Sequence, residues 1–153
     1  MKIKTLKEKM FLIIGSGLGL GYSPIMPGTC GTLLGIPIFY LLKENNIGFI
    51  IFTLILFFIG ISASNFISIK FKQKDPSFIV IDEIVGFLIA AMFIEFSILN
   101  IALIFVFFRL FDIIKPFPIK KLEKLSLGWG VMSDDVLAGI YANIIVRIIL
   151  VFI

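Results

Sequence analysis

Carboxylates stand inside or at the edges of long apolar runs in this chain, and that placement limits the fold more than any other feature. Of the ten acids, four form two adjacent pairs, Asp82-Glu83 and Asp134-Asp135. A fifth, Asp112, lies in the run FFRLFDIIKPFP over 107–118. An acid at the centre of a membrane helix costs about 2.5–3.5 kcal/mol on insertion scales. Acids kept in such surroundings hold an ion, move a proton or bind a substrate. The pattern predicts a membrane-embedded enzyme with an acidic, metal-binding site.

The apolar segments at 33–42, 47–69, 78–96, 98–114 and 134–153 predict an all-α polytopic membrane bundle with four to five hydrophobic segments. A crossing needs about 20 residues, so the first segment is expected to be tilted, re-entrant or extended by the loop before it. Residues 1–14 carry Ile3, Leu6, Met10 and Ile13 at helical spacing with lysines opposite, the pattern of an interfacial helix. A Gly/Pro loop follows over 15–32. Pro116 and Pro118 are expected to break the fourth helix. Gly128-Trp129-Gly130 is expected to mark a reversal, with Ser133 as a candidate N-cap for the last helix.

Only 16% of the 153 residues are charged, against about 25% in a soluble domain. The length predicts one domain over 1–153. The chain has no His, which removes imidazole acid–base catalysis and His–zinc sites together. Cys30 is alone, so no internal disulfide forms. The net charge of +4 gathers in lysine clusters at 2–9, 70–74 and 115–124, which the positive-inside rule puts in the cytoplasm. The hydropathy argues against a nucleic-acid partner. Five crossings starting inside would bring the loop and all the acidic motifs to the cytoplasmic face.

Two adjacent carboxylates suit a hard divalent cation, and Mg²⁺ is the usual one near phosphates. Asp82 and Glu83 are therefore candidate metal ligands and catalytic groups; acids that merely complement a helix dipole are the alternative. Asp134 and Asp135 carry the same candidate roles, beside an equally local reading as a capped helix start. Asp135 shares a face with Gly139 and Asn143, a small polar stripe that is expected to pack on the helix carrying Asp82. Arg109, Asp112 and Lys115 recur every three residues and share one face. Arg109 and Lys115 are candidate phosphate ligands, and Asp112 is either a further metal ligand or their neutralising partner. In the loop, Ser23, Gly28, Thr29, Gly31 and Thr32 are candidate phosphate contacts at a helix N-terminus. Cys30-Gly31-Thr32 lacks the lysine of a nucleotide-binding P-loop. No arginine stands six positions after Cys30, which removes the cysteine-phosphatase loop.

The segments SPIMPGTCGTL (23–33), IVIDEIVG (79–86), FRLFDIIKPFP (108–118) and DDVLAGIYANI (134–144) together resemble the phosphatidylglycerophosphatase A family, over roughly residues 15–145. The resemblance implies a multi-pass enzyme of the bacterial inner membrane, acting in phospholipid metabolism with its site facing the cytoplasm. It implies Mg²⁺-dependent removal of the terminal phosphate of phosphatidylglycerophosphate to give phosphatidylglycerol. A small ion-coupled transporter using the intramembrane acids as a relay is the alternative from another class.

Overall fold

The computed structural model describes residues 5–153, which form seven α-helices and one 3₁₀ turn. Helix α1 (Leu6–Gly15) is capped by Thr5, whose side chain accepts from the Glu8 amide at 3.2 Å. It lays Leu12 and Gly15 against the protein and leaves Leu6, Met10 and Ile13 exposed on its surface. A helix thus stands over most of the segment 1–14 in which one was expected; Ile3 lies outside the described residues.

The glycine-rich stretch then turns through the 3₁₀ segment Leu20–Tyr22. Its glycines are needed for close approach. Gly21 lies directly against the Phe78 carbonyl, and the Val80 amide donates to the Gly15 carbonyl at 2.8 Å. Helix α2 (Pro27–Leu42) begins sooner than the expected loop boundary at 32, because Pro27 occupies its first turn, where a missing N–H costs nothing. Helix α3 (Asn46–Phe71) follows a short turn, with the Asn45 side chain accepting from the Gly48 amide at 2.9 Å.

Helix α4 (Ile81–Ala91) has 11 residues, which at 1.5 Å each span only about 16 Å. The continuous helix expected over 78–96 therefore does not form. Its C-terminal carbonyls are instead satisfied from the last helix. Asn143 Nδ2 donates to the carbonyls of Ala90 at 2.8 Å and Met92 at 2.9 Å. Arg147 Nη2 donates to Met92 at 3.0 Å and Phe93 at 3.2 Å. A helix ending inside apolar surroundings requires such partners.

Helix α5 (Ile98–Ile114) matches the fourth apolar segment and stops at Lys115, which adopts a left-handed conformation (φ 46°) before Pro116. A single turn, α6 (Ile119–Leu122), leads to α7 (Leu127–Val151). This last helix starts before the expected N-cap, so Ser133 lies inside it and Gly128-Trp129-Gly130 forms its opening turn. The reason is packing rather than reversal. Gly128 sits against the Ile61 carbonyl of α3, and its amide donates to Asn65 Oδ1 at 2.7 Å.

α4 is the centre of the bundle, in contact with α2, α3, α5 and α7. It is apolar on nearly every side, and Val85, Phe87, Leu88, Ala90 and Ala91 are fully buried. Among the described residues, α3 is the one helix both long and apolar enough to cross a membrane, and α2 is shorter. Of the four to five hydrophobic segments expected, α3 has both the length and the composition of a span. Large apolar side chains nevertheless face outward around the bundle, including Ile51 and Phe58 on α3, Val106 on α5, and Ile144 and Ile148 on α7.

α4 and α7 cross at glycines. A Cβ on Gly139 would meet the Gly86 carbonyl, and one on Gly86 would come within 2.9 Å of the Asp135 carbonyl oxygen. Backbone blocks this approach on both sides, so it has little room to relax. Gly139→Ala should therefore lower stability by about 1–3 kcal/mol, the usual range for overpacking. Thermal unfolding in detergent measures this; an unchanged midpoint would show that the crossing tolerates a methyl group.

Candidate active site

The site is assembled from the start of α4, the first third of α7 and the end of α5. Asp82 and Glu83 lie in the first turn of α4, where the positive end of the helix favours acids. Both the dipole role and a buried site hold at once, since Asp82 is only 8% exposed. Asp135, one turn before Gly139, faces them across the glycine crossing. Oxygens from Asp82, Glu83 and Asp135 all lie within 4.8 Å of one another.

Asp134 turns away from this cluster. It is buried, but its Oδ2 accepts from Lys115 Nζ at 2.6 Å. Its place is inside α7, which begins at Leu127, and not at an N-cap. Asp112 is not one of these three, but its carboxyl lies against that of Asp135 and accepts from Arg109 Nη1 at 2.6 Å. The same Nη1 is 3.8 Å from Glu83 Oε1. Arg109 and Lys115 therefore sit on opposite acids, one by Glu83 and one by Asp134. The left-handed turn at Lys115 ends α5 and lets its side chain reach α7.

The loop residues divide. Gly28 lies directly against Glu83 Oε1, and a Cβ there would stand 3.2 Å from Arg109 Nη1. Gly28 and Thr29 are in the first turn of α2, where backbone N–H groups have no helical partner. Gly31 instead packs on Val80, and Thr32 donates its hydroxyl to the Gly28 carbonyl at 3.0 Å. Their amides fall within the helical ladder, because α2 starts at Pro27. Ser23 donates its hydroxyl to the Ile25 carbonyl at 2.9 Å and shapes the turn before the helix.

Two acids near the site carry no signal in the sequence that separates them from solvated surface charge. Glu123 Oε1 is 3.4 Å from Lys115 Nζ. Asp75, in the connection between α3 and α4, is exposed as a residue, yet desolvation of its carboxyl and the nearby Asp134 charge push it up to about 6. Burial alone would lower the Lys115 ammonium, but its hydrogen bond to Asp134 and that acid's charge outweigh burial and hold it above the usual lysine range.

A family model described as phosphatidylglycerophosphatase A matches residues 13–150. The chain belongs to the phosphatidylglycerophosphatase A family. A phosphatidylglycerophosphatase A from Haemophilus influenzae is 40% identical over 151 residues, covering 95% of this chain and 90% of the relative. The Escherichia coli protein of the same name is 32% identical over 133 residues, covering 84% and 76%. A Bacteroides thetaiotaomicron protein provisionally named a phosphatidylinositol-3-phosphatase is 36% identical over 154 residues, covering 94% and 96%. No solved structure matches the chain. Membership makes this chain a phosphoric monoester hydrolase and leaves the transporter reading without support.

In this phosphatase family member, Gly28 is expected to act through Glu83. The atom a Cβ would meet is the far end of a flexible side chain, so Gly28→Ala should fold but push the Glu83 carboxylate aside. A misplacement near 1 Å at a reacting site costs about 100-fold in rate. Gly28→Ala should thus lose activity by about that factor with its unfolding midpoint nearly unchanged, as paired assays of phosphate release and thermal unfolding would show. Full activity would mean that Glu83 has no fixed position to lose.

Proposed function

We propose that the protein is a Mg²⁺-dependent lipid phosphatase that converts phosphatidylglycerophosphate to phosphatidylglycerol, embedded in the bacterial inner membrane with its site on the cytoplasmic side. The single observation that carries this reading is the convergence of Asp82, Glu83 and Asp135 beside Arg109 in a chain of this family. The donor set fits the ion. One oxygen each of Asp82, Glu83 and Asp135 is buried with no hydrogen-bond partner, and hard divalent cations take carboxylate oxygens. These three residues would hold Mg²⁺, which supplies positive charge for the phosphoryl oxygens and acidifies water.

Within this reading, Arg109 and Lys115 grip the terminal phosphomonoester. Only Nη1 of Arg109 is engaged by acids among the described residues, so its other N–H groups remain for phosphate oxygens. The Gly28 and Thr29 amides add donors at the start of α2. One carboxylate of the cluster takes a proton from the attacking water. The phosphorus–oxygen bond to the lipid glycerol then breaks, and the glycerol oxygen takes up a proton. Asp112 orients Arg109, and Asp134 holds Lys115. The outward apolar side chains and the exposed face of α1 support a membrane setting, with acyl chains left in lipid. A second reading, hydrolysis of a phosphoinositide monoester, follows from the name of the Bacteroides relative.

Purified protein in detergent should release phosphate from phosphatidylglycerophosphate with Mg²⁺ and stop with EDTA. Full release in metal-free, chelator-treated detergent would sink the metal reading, and faster turnover of phosphatidylinositol 3-phosphate would favour the second substrate. Asp82→Asn and Asp135→Asn should each abolish turnover at any Mg²⁺ concentration. Asp134→Asn should keep the Mg²⁺ requirement but weaken substrate binding through Lys115. Equal Mg²⁺ dependence in all three would place Asp134 with the metal instead.

Sidedness is tested separately. In a Cys30→Ser background, cysteines at Lys72 and Lys121 should resist a membrane-impermeant thiol reagent in intact cells, whereas one at Asn45 should react. The opposite labelling would overturn the topology.

A further inference from the structure

Asp75 stands in the connection between α3 and α4, and the chain around it is tied down. The Ser68 hydroxyl donates to the Lys74 carbonyl at 2.7 Å, and Lys74 Nζ donates to the Glu123 carbonyl at 2.7 Å. Gln73 Nε2 donates to the Asp75 carbonyl at 3.2 Å. Pro76 is buried, and its carbonyl accepts from the Ile79 amide at 2.9 Å. These bonds fix the backbone, yet the Asp75 carboxyl itself makes no hydrogen bond or ion pair among the described residues.

Asp75 lines an open cavity of about 350 Å³, with Glu123 and Asp134 beside it. Lys74, Lys120 and Lys124 match these three acids in number, so the lining asks for no bound ion. Asp134 of α7, Lys115 and Asp112 of α5, and Glu123 after α6 all act on Asp75 by charge. The field of Asp75 in turn reaches Asp82 of the carboxylate cluster. Asp75 therefore lies at the edge of the site, near Lys115, one of the two cations assigned to the phosphomonoester. Desolvation and the Asp134 charge push its carboxyl up to about 6, against the pull of Lys115. Such a group holds a proton part of the time near neutral pH and exchanges it with water.

We propose that Asp75 is a further catalytic residue, the acid that gives its proton to the glycerol oxygen as the phosphorus–oxygen bond breaks. The inference rests on the lipid-phosphatase reading and deepens it by naming the source of that proton. An alkoxide leaves poorly unless it is protonated, and a positioned acid adds about 10²–10⁴-fold to such a step. The water oxygen bonds to phosphorus, and one water proton passes to the carboxylate cluster. The electron pair of the breaking bond stays on the glycerol oxygen, which takes the Asp75 proton. Solvent in the cavity then returns a proton to Asp75, and the cluster releases the one it took.

The pH dependence of kcat/KM tests this, for the full-length protein in neutral detergent micelles with phosphatidylglycerophosphate and saturating Mg²⁺. An acid acts only while protonated, so its contribution is lost as pH rises through about 6. Asp75→Asn should lose about 100-fold in kcat/KM near about pH 5. The ratio of wild type to variant should then shrink about tenfold per pH unit above about 6, toward equality near about pH 8. The phosphomonoester titrates in the same window, but identically for both proteins. The Mg²⁺ concentration for half activity should stay unchanged. A ratio that is constant with pH, whether large or near one, overturns the proton donor, because a merely less folded variant behaves in that way. A shifted Mg²⁺ requirement overturns it in favour of a metal ligand. If the wild type releases no phosphate from the lipid at all, the underlying reading fails, and the proton donor with it.

Discussion

Three carboxylates whose oxygens lie within 4.8 Å of one another repel, and burial removes the water that would screen them. The rest of the bundle follows from holding that arrangement together. Asp82 and Glu83 enter from the first turn of α4, where the helix dipole offsets part of their charge. Asp135 enters from α7 across a glycine contact that fixes the two backbones at close range. Arg109 supplies a guanidinium on one flank, and Lys115 neutralises the neighbouring Asp134 on the other. Breaking any one partner of such a buried network leaves an uncompensated charge, which costs more than the pair contributes.

The shortness of α4 belongs to the same arrangement. A helix of 11 residues has its positive end near the acids and its negative end deep among apolar side chains. Asn143 and Arg147 take up the carbonyls at that deep end, so α7 secures α4 at both of its ends and at its middle. The glycine-rich segment closes the remaining side. Its residues pack on Phe78 and Val80 just before α4 begins, and so set where Asp82 starts.

Much of this was legible in the sequence because it is local. Pro116 just after Lys115 ends α5, as its place beyond the apolar run led one to expect. The i+4 spacing of Asp135, Gly139 and Asn143 correctly aligned one face of α7 with α4. The misreadings came where local signals compete. Ser133-Asp134 carries a good capping pattern, but packing of Gly128 on α3 starts the helix earlier. Likewise, the greasy run at 78–96 has the length of a span, yet α4 occupies only its middle because polar groups from α7 can end it.

The sequence by itself determined the chemistry available: acids among apolar runs without histidine, an arginine and a lysine near the end of the fourth apolar segment, and long apolar stretches. Helical period and hydropathy are properties of neighbouring residues, so they survive without knowledge of the fold. Only the tertiary structure decided which acids meet. Asp82, Glu83 and Asp135 converge, Asp112 stands against Asp135 and binds Arg109, and Asp134 turns to Lys115. Adjacent helical residues point about 100° apart, and which of two neighbours faces the partner depends on the rotation of the whole helix. That rotation is set by glycine contacts between segments far apart in the chain, a distance no local pattern records.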